Sequence, residues 1–177
     1  MTPTLSQVCT LNAPFTKDVE DYAAGKCPAM ELWWTKLETF LQSHSLDDVR
    51  RLLERNEITT PVASFQGGLL VSQGDARQAH WEHFAKRLEI ARELGIGTLV
   101  VACDIPAPLS QEILDRTSVS LTEAAQRAGP LGIRIALEFQ RQSAFGNNLQ
   151  TAAAMIGECG SPHVGICFDA FHFFAGP

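Results

Sequence analysis

Ile133-Arg134-Ile135-Ala136-Leu137-Glu138-Phe139 is the stretch on which the fold turns. Its large apolar residues, Ile133, Ile135 and Leu137, alternate with Arg134, Ala136 and Glu138. That is the two-residue period of a β-strand with one face on a hydrophobic layer. About thirty residues on, Val164-Gly165-Ile166-Cys167-Phe168-Asp169 repeats the arrangement, with Val164, Ile166 and Phe168 on one side and Gly165, Cys167 and Asp169 on the other. Each stretch ends on an acid that shares a face with the small residues.

Four further apolar runs precede these two: Gln7 to Leu11, Ala29 to Trp33, Val62 to Gln66 and Thr98 to Cys103. After the first gap the spacing settles near 34 residues, enough for a strand, a loop, a helix and a return loop, and such a series builds a parallel sheet with right-handed crossovers. The segments between carry helix punctuation. Asp75 with Gln78 resembles a capping box, followed at helical spacing by Trp81, Phe84, Leu88, Ala91 and Leu94 up to Gly95. Ser45 with Asp48, Ser110 and Asn148 open three more helices, the last two ending at Gly129-Pro130 and near Gly160, and a short helix runs from about Thr16 to Ala24. A tandem helical repeat has the same period, but Leu99-Val100-Val101 and Ile133-Arg134-Ile135 contradict it. No Pro/Ser-rich linker divides the chain, so residues 1–177 are expected to form a single domain.

The 177 residues suffice for one hydrophobic core, and 14 Lys+Arg against 20 Asp+Glu leave a net charge of −6. No run of basic residues exceeds Arg50-Arg51, so no nucleic acid is expected as a partner. No apolar stretch approaches the ~18 residues of a membrane helix, and Met1 to Leu11 lacks a signal-peptide pattern. The expectation is a cytoplasmic protein with a small-molecule ligand and no membrane. The five cysteines are odd in number and form no Cys-x-x-Cys, which reads as buried free thiols.

Doubly wound nucleotide-binding folds share the strand–helix alternation but place a Gly-rich phosphate loop after the first strand. Here that place holds Leu11-Asn12-Ala13-Pro14-Phe15, while Gly95-Ile96-Gly97 leads into a strand, where a helix C-cap accounts for it. A barrel is favoured. With the bulky sets of the last two strands against outer helices, Glu138 and Asp169 point inward at the C-terminal strand ends, where barrel active sites lie. Neighbouring strands are ~4.8 Å apart, close enough for two strand-end carboxylates to share a cation. His172 follows Asp169 by three residues. Together they offer donors to Mn, Mg, Co or Zn. A structural reading stands beside this: Glu138 pairing with Arg141, Asp169 as a helix N-cap, His172 on a surface loop.

At these residues the chain resembles the xylose isomerase-like barrels, which include sugar isomerases, epimerases and inosose-processing enzymes. The resemblance rests on residues 133–139, on Val164 to His172, on Ala29-Met30-Glu31-Leu32-Trp33, and on the helix from Ala85 feeding the strand from Thr98. It implies a divalent-metal-dependent sugar or sugar-phosphate isomerase or epimerase on a (β/α) TIM barrel, working through an enediolate. By position, Glu138 and Asp169 match two of four metal ligands, Glu138 also matches a proton carrier, and His172 matches a contact to substrate oxygen.

The chain departs from that pattern in length: six βα units are legible where the barrel has eight and typically ~250 residues. The ligands expected from strands seven and eight are not encoded, and open sheet edges with Phe171, Phe173 and Phe174 nearby predict a homo-oligomer. Glu31 faces the barrel interior by alternation and is a candidate for substrate binding, with an ion pair to Arg134 as its alternative. Trp33 and Trp34 are candidate walls of a sugar pocket, with packing in the core or against a helix as the alternative. Asp104 reads as a turn residue, His80 and His83 as exposed, and Cys167 as inward packing. Two alternatives remain: a folded barrel fragment without turnover, and an apurinic/apyrimidinic endonuclease-like hydrolase, disfavoured because Val62 to Gln66 supplies no His and the net charge opposes DNA.

Overall fold

A computed structural model describes residues 2–177. Six parallel strands form one sheet in chain order: β1 (Leu5–Ser6), β2 (Ala29–Trp33), β3 (Thr59–Gln66), β4 (Thr98–Ala102), β5 (Arg134–Glu138) and β6 (Val164–Cys167). The crossovers carry α1 (Phe15–Ala24), α2 (Trp34–Leu41), α3 (Leu46–Arg55), α4 (Gly74–Glu93), α5 (Gln111–Ala128) and α6 (Leu149–Cys159), and α7 (Ala170–Ala175) follows β6. Among the described residues β1 pairs only with β2 and β6 only with β5, so the sheet stays open. This is a TIM-barrel-like α/β fold with six of eight units.

The core lies between the sheet and its helices. Met30 and Leu32 of β2, Leu99 and Val101 of β4 and Ile135 and Leu137 of β5 are all buried, packed with Val19, Leu37, Phe84, Leu88, Leu121 and Ala124 from the helices. The alternation expected for β5 holds: Ile135 and Leu137 are buried, whereas Arg134 is exposed and Ala136 and Glu138 are half-buried on the other face. That face is the inside of the incomplete barrel, and the missing staves leave it partly open to water.

Helix starts follow local chemistry. Ser45 and Asp48 form a reciprocal capping box on α3, Ser110 Oγ accepts from the Ile113 N–H, and Asn148 Oδ1 accepts from the Thr151 N–H. Gly160 closes α6 at φ +62°, a left-handed conformation that favours glycine.

Four local expectations need correction. Residues 7–10 form a 3-10 turn instead of the first strand, which is only Leu5–Ser6. Ser6 Oγ caps that turn, and the Gln7 side chain is drawn inward by Asp18 Oδ2 (3.0 Å) and the Trp33 N–H (2.9 Å). The turn also exposes Cys9, so the five free thiols are not all buried. The Asp75 capping box is absent because α4 starts at Gly74 with Gln73 in the N-cap place, two residues earlier than a cap at Asp75 would set, leaving Asp75 inside the first turn. Finally, α2 begins directly at the end of β2, with no polar loop to announce it, and α7 follows β6 after only Phe168 and its cap Asp169; α2 carries Trp34 into the core, 5.1 Å beneath Arg87, and away from any sugar pocket.

Candidate active site at the C-terminal strand ends

Glu138 is the last residue of β5. Leu137 is anchored in the outer core, so the next side chain must emerge on the inner face. In register, Glu138 stands between Ala102 of β4 and Cys167 of β6. Strand β6 ends two residues before Asp169, so in the hydrogen-bonded register Asp169 stands two positions, roughly 6.6 Å along the strand direction, beyond the partner of Glu138. The chain leaves the ladder there because Asp169 is committed to α7: its Oδ1 accepts from the His172 N–H at 2.8 Å. The capping reading of Asp169 is thus realised, and Oδ2 takes no hydrogen bond from the described residues.

His172 sits one turn into α7, and its Nδ1 accepts from the Arg141 N–H at 3.4 Å. With Nδ1 accepting, a neutral imidazole carries its proton on Nε2 as a donor. Arg141 does not pair with Glu138. Its guanidinium lies 5.4 Å from the Phe171 ring centroid instead. Glu31 occupies the inner face of β2 between the buried Met30 and Leu32, and no ion pair joins it to Arg134.

The electrostatics show which of these groups share a space. Burial is the main force raising the Glu138 pKa; a hydrogen bond from Gln140 Nε2 (3.1 Å) opposes it, the negative charges of Asp169 and Glu31 add to it, and His172 counteracts it. Cys167 is pushed up to about 12 by burial and by Glu138, Glu31 and Asp169, so it stays a neutral thiol. Glu138 and Cys167 thus feel the charges of Glu31 and Asp169, and Glu138 that of His172, from the same side of the sheet. Trp33, two residues beyond Glu31, is half-buried and lines a neighbouring hollow of about 390 Å³ with the 11–16 turn.

Among the described residues, no Lys or Arg forms an ion pair with Glu31, Glu138 or Asp169, and no three His, Cys, Asp or Glu side chains are grouped closely enough to hold a metal. The donor chemistry, uncompensated carboxylates beside an imidazole, fits a divalent cation. The donor number falls short of a closed site.

Other polar residues have structural partners. Asp104 Oδ2 accepts from the Gly68 N–H (2.6 Å) and holds the loop after β3. His80 is not exposed but packs on Gly68, and His83 Nε2 meets Glu38 Oε1 at 2.6 Å within a network where Arg87 grips both Glu38 oxygens (2.7 and 3.0 Å). Asp18 and Lys36 form a buried pair at 2.6 Å. Sequence reading missed Gln140, although its parity with Glu138 is a usable signal. It also missed the Gln7–Asp18–Lys36 network, whose members are too far apart in the chain to signal one another.

A sequence model of the xylose isomerase-like TIM barrel family matches residues 20–177. An inosose isomerase of Bacillus velezensis is 31% identical over 147 residues, covering 79% of this chain and 51% of that protein. An inosose isomerase of Halalkalibacterium halodurans is 28% identical over 182 residues, covering 96% of this chain and 62% of that protein. The chain thus spans between half and two thirds of the length of these relatives. Among solved structures, the IOLI protein with a binding zinc atom superposes with a TM-score of 0.89 at 24% identity, over 99% of this chain and 65% of that one. D-psicose 3-epimerase in the presence of D-fructose superposes with a TM-score of 0.79 at 20% identity, over 97% of this chain and 64% of that one.

Proposed function

This chain belongs to the xylose isomerase-like TIM barrel family, and we propose that it carries the strand-five and strand-six part of a metal-dependent site for isomerising or epimerising a sugar, a sugar phosphate or an inosose. What supports the reading is that Glu138 ends β5 on the inner face in register with Cys167, two residues before Asp169, that His172 is tied to Asp169 and to the Arg141 N–H beside it, and that no basic side chain pairs with either acid. The inosose isomerase relatives support the substrate class.

Glu138 and Asp169 would hold the cation, which supplies Lewis-acid polarisation of a substrate carbonyl. Glu138 acts on the carbon next to that carbonyl. Its raised proton affinity makes the carboxylate a stronger base, and Gln140 orients it through Oε2. His172 Nε2–H donates to a substrate oxygen, while the capping bond at Asp169 and the Arg141 N–H keep the ring in place. Glu31 takes a substrate hydroxyl, and Trp33 offers a flat apolar wall to the sugar's C–H face. The return of the proton on the opposite side falls to a base on polypeptide that completes the barrel, from further βα units or a second chain.

The test measures bound metal after mild purification and deuterium uptake by ketoses and inososes in D₂O. Glu138→Gln and Asp169→Asn should each lower metal content, and Glu138→Gln should abolish exchange. Unchanged metal in both variants would remove the site. A second reading, a folded barrel fragment without turnover, is favoured by the open sheet and the incomplete donor set; metal retention with no exchange on any substrate would establish it.

A further inference from the structure

The loop that carries the chain from Glu138 to α6, residues 139–148, is fixed at its middle. Ser143 is buried there; its Oγ accepts from the Ile105 N–H at 3.0 Å and donates to the Phe145 carbonyl at 2.6 Å. The Ser143 N–H donates to the Gln140 carbonyl at 2.8 Å, the Ala144 N–H to the Ile105 carbonyl at 2.7 Å, and the Gln140 N–H to the Gly146 carbonyl at 3.2 Å. Gln140 therefore stands on a closed turn two residues past Glu138. From that turn two side-chain amides run in series to the carboxylate: Gln142 Nε2 donates to Gln140 Oε1 at 2.8 Å, and Gln140 Nε2 donates to Glu138 Oε2 at 3.1 Å. An amide can turn either end toward a neighbour, but an ionised carboxylate only accepts, so only the N–H end suits Glu138. Gln142 fixes which end that is. Reversing the Gln140 amide would set two N–H groups face to face at Gln142 and a carbonyl oxygen against the Glu138 carboxylate. With Oε2 engaged in this way, Glu138 Oε1 takes no hydrogen bond from the described residues.

We propose that Gln142 is a positioning residue: it sets the direction of the Gln140 amide and, through it, holds the Glu138 carboxylate by Oε2 so that Oε1 is the oxygen left for a cation or substrate. The inference rests on the reading of Glu138 above as the acting carboxylate. Gln142 is itself exposed, whereas Ser143 carries the buried bonds of the loop, so replacing Gln142 leaves the loop's anchor in place.

The experiment records the side-chain amide signals of the isotope-labelled full chain by NMR and measures Mn²⁺ binding by titration, with Gln140→Leu identifying the Gln140 signal by its loss. In the metal-free chain that signal should be shifted and slow to exchange with water, and Glu138→Ala should release it. Gln142→Met, of similar length but without a donor, should return the signal toward that of a free glutamine amide, whereas Gln142→Lys, which keeps a donor, should preserve it. Mn²⁺ affinity should fall about tenfold in Gln140→Leu and about threefold in Gln142→Met. Because Gln142 acts through Gln140, Gln142→Met should cost nothing further once Gln140 is replaced by Leu. A Gln140 signal that is free in the wild-type chain, or that Gln142→Met leaves in place, overturns the proposal. So does Mn²⁺ affinity equal in wild type and Gln142→Met, or a loss in Gln142→Met that persists beside Gln140→Leu. If Mn²⁺ does not bind the wild-type chain while the amide signal answers to Gln142 and Glu138 as described, the positioning stands and the cation reading falls.

Discussion

Glu38 and Glu138 are carboxylates of one kind placed in opposite surroundings. Burial alone would raise the Glu38 pKa, but Arg87 and His83 outweigh it and hold the carboxyl below its ordinary 4.5. A group whose folded pKa is lowered stabilises the fold above its unfolded value and loses that contribution as pH falls through the folded one. Glu38→Gln should therefore destabilise the protein at pH 7, by about 3 kcal/mol because Arg87 is left buried without its acid, and the gap to wild type should narrow below pH 4.5; urea melts across pH 3 to 7 check this. Glu138 has no such partner and is crowded by acids. Glu138→Gln removes that repulsion and should raise the melting temperature of the metal-free chain by about 2 °C, read by calorimetry, while it lowers metal content. A residue that costs stability at rest and sits at the strand-end mouth is placed for chemistry.

At the scale of elements, the helices hold the sheet and the loops aim the site. The capping box of α3 is exposed and local, so Ser45→Ala should cost about 1 kcal/mol in urea unfolding and leave metal content unchanged. The loop after β3 is different. Gly68 adopts φ +70° with the His80 ring against its α-carbon and its N–H on Asp104, so any side chain there meets both strain and collision. Gly68→Ala should cost more than the α3 cap, roughly 2 kcal/mol in the same assay. The capped helices were legible because a cap is written within four residues. The 3-10 turn at residues 7–10 was not, since it depends on Asp18 and on the Trp33 main chain meeting Gln7 from distant parts of the chain.

For the whole molecule, the open sheet is the dominant fact. The outer edges of β1 and β6 present unpaired main-chain groups, and Phe168, Phe171 and Phe174 beside β6 are 54%, 61% and 83% exposed. Apolar surface of this kind beside a strand edge drives association. Light scattering should find a species heavier than the 19.3 kDa chain, and Phe171→Ser with Phe174→Ser should shift it toward that mass; a monodisperse wild-type monomer is the contrary result.

The sequence by itself determined the parallel strand–helix order and the strand parity of Glu31 and Glu138, because strand period and helix caps are local and each is spelled within a few residues. Only the tertiary structure decided that Asp169 caps a helix two residues past the strand, that Arg141 turns to Phe171 instead of Glu138, and that Arg87 and Lys36 are spent inside the fold. Those outcomes depend on register and on which distant side chains compete for each charge, and neither is written in the neighbourhood of the residue concerned.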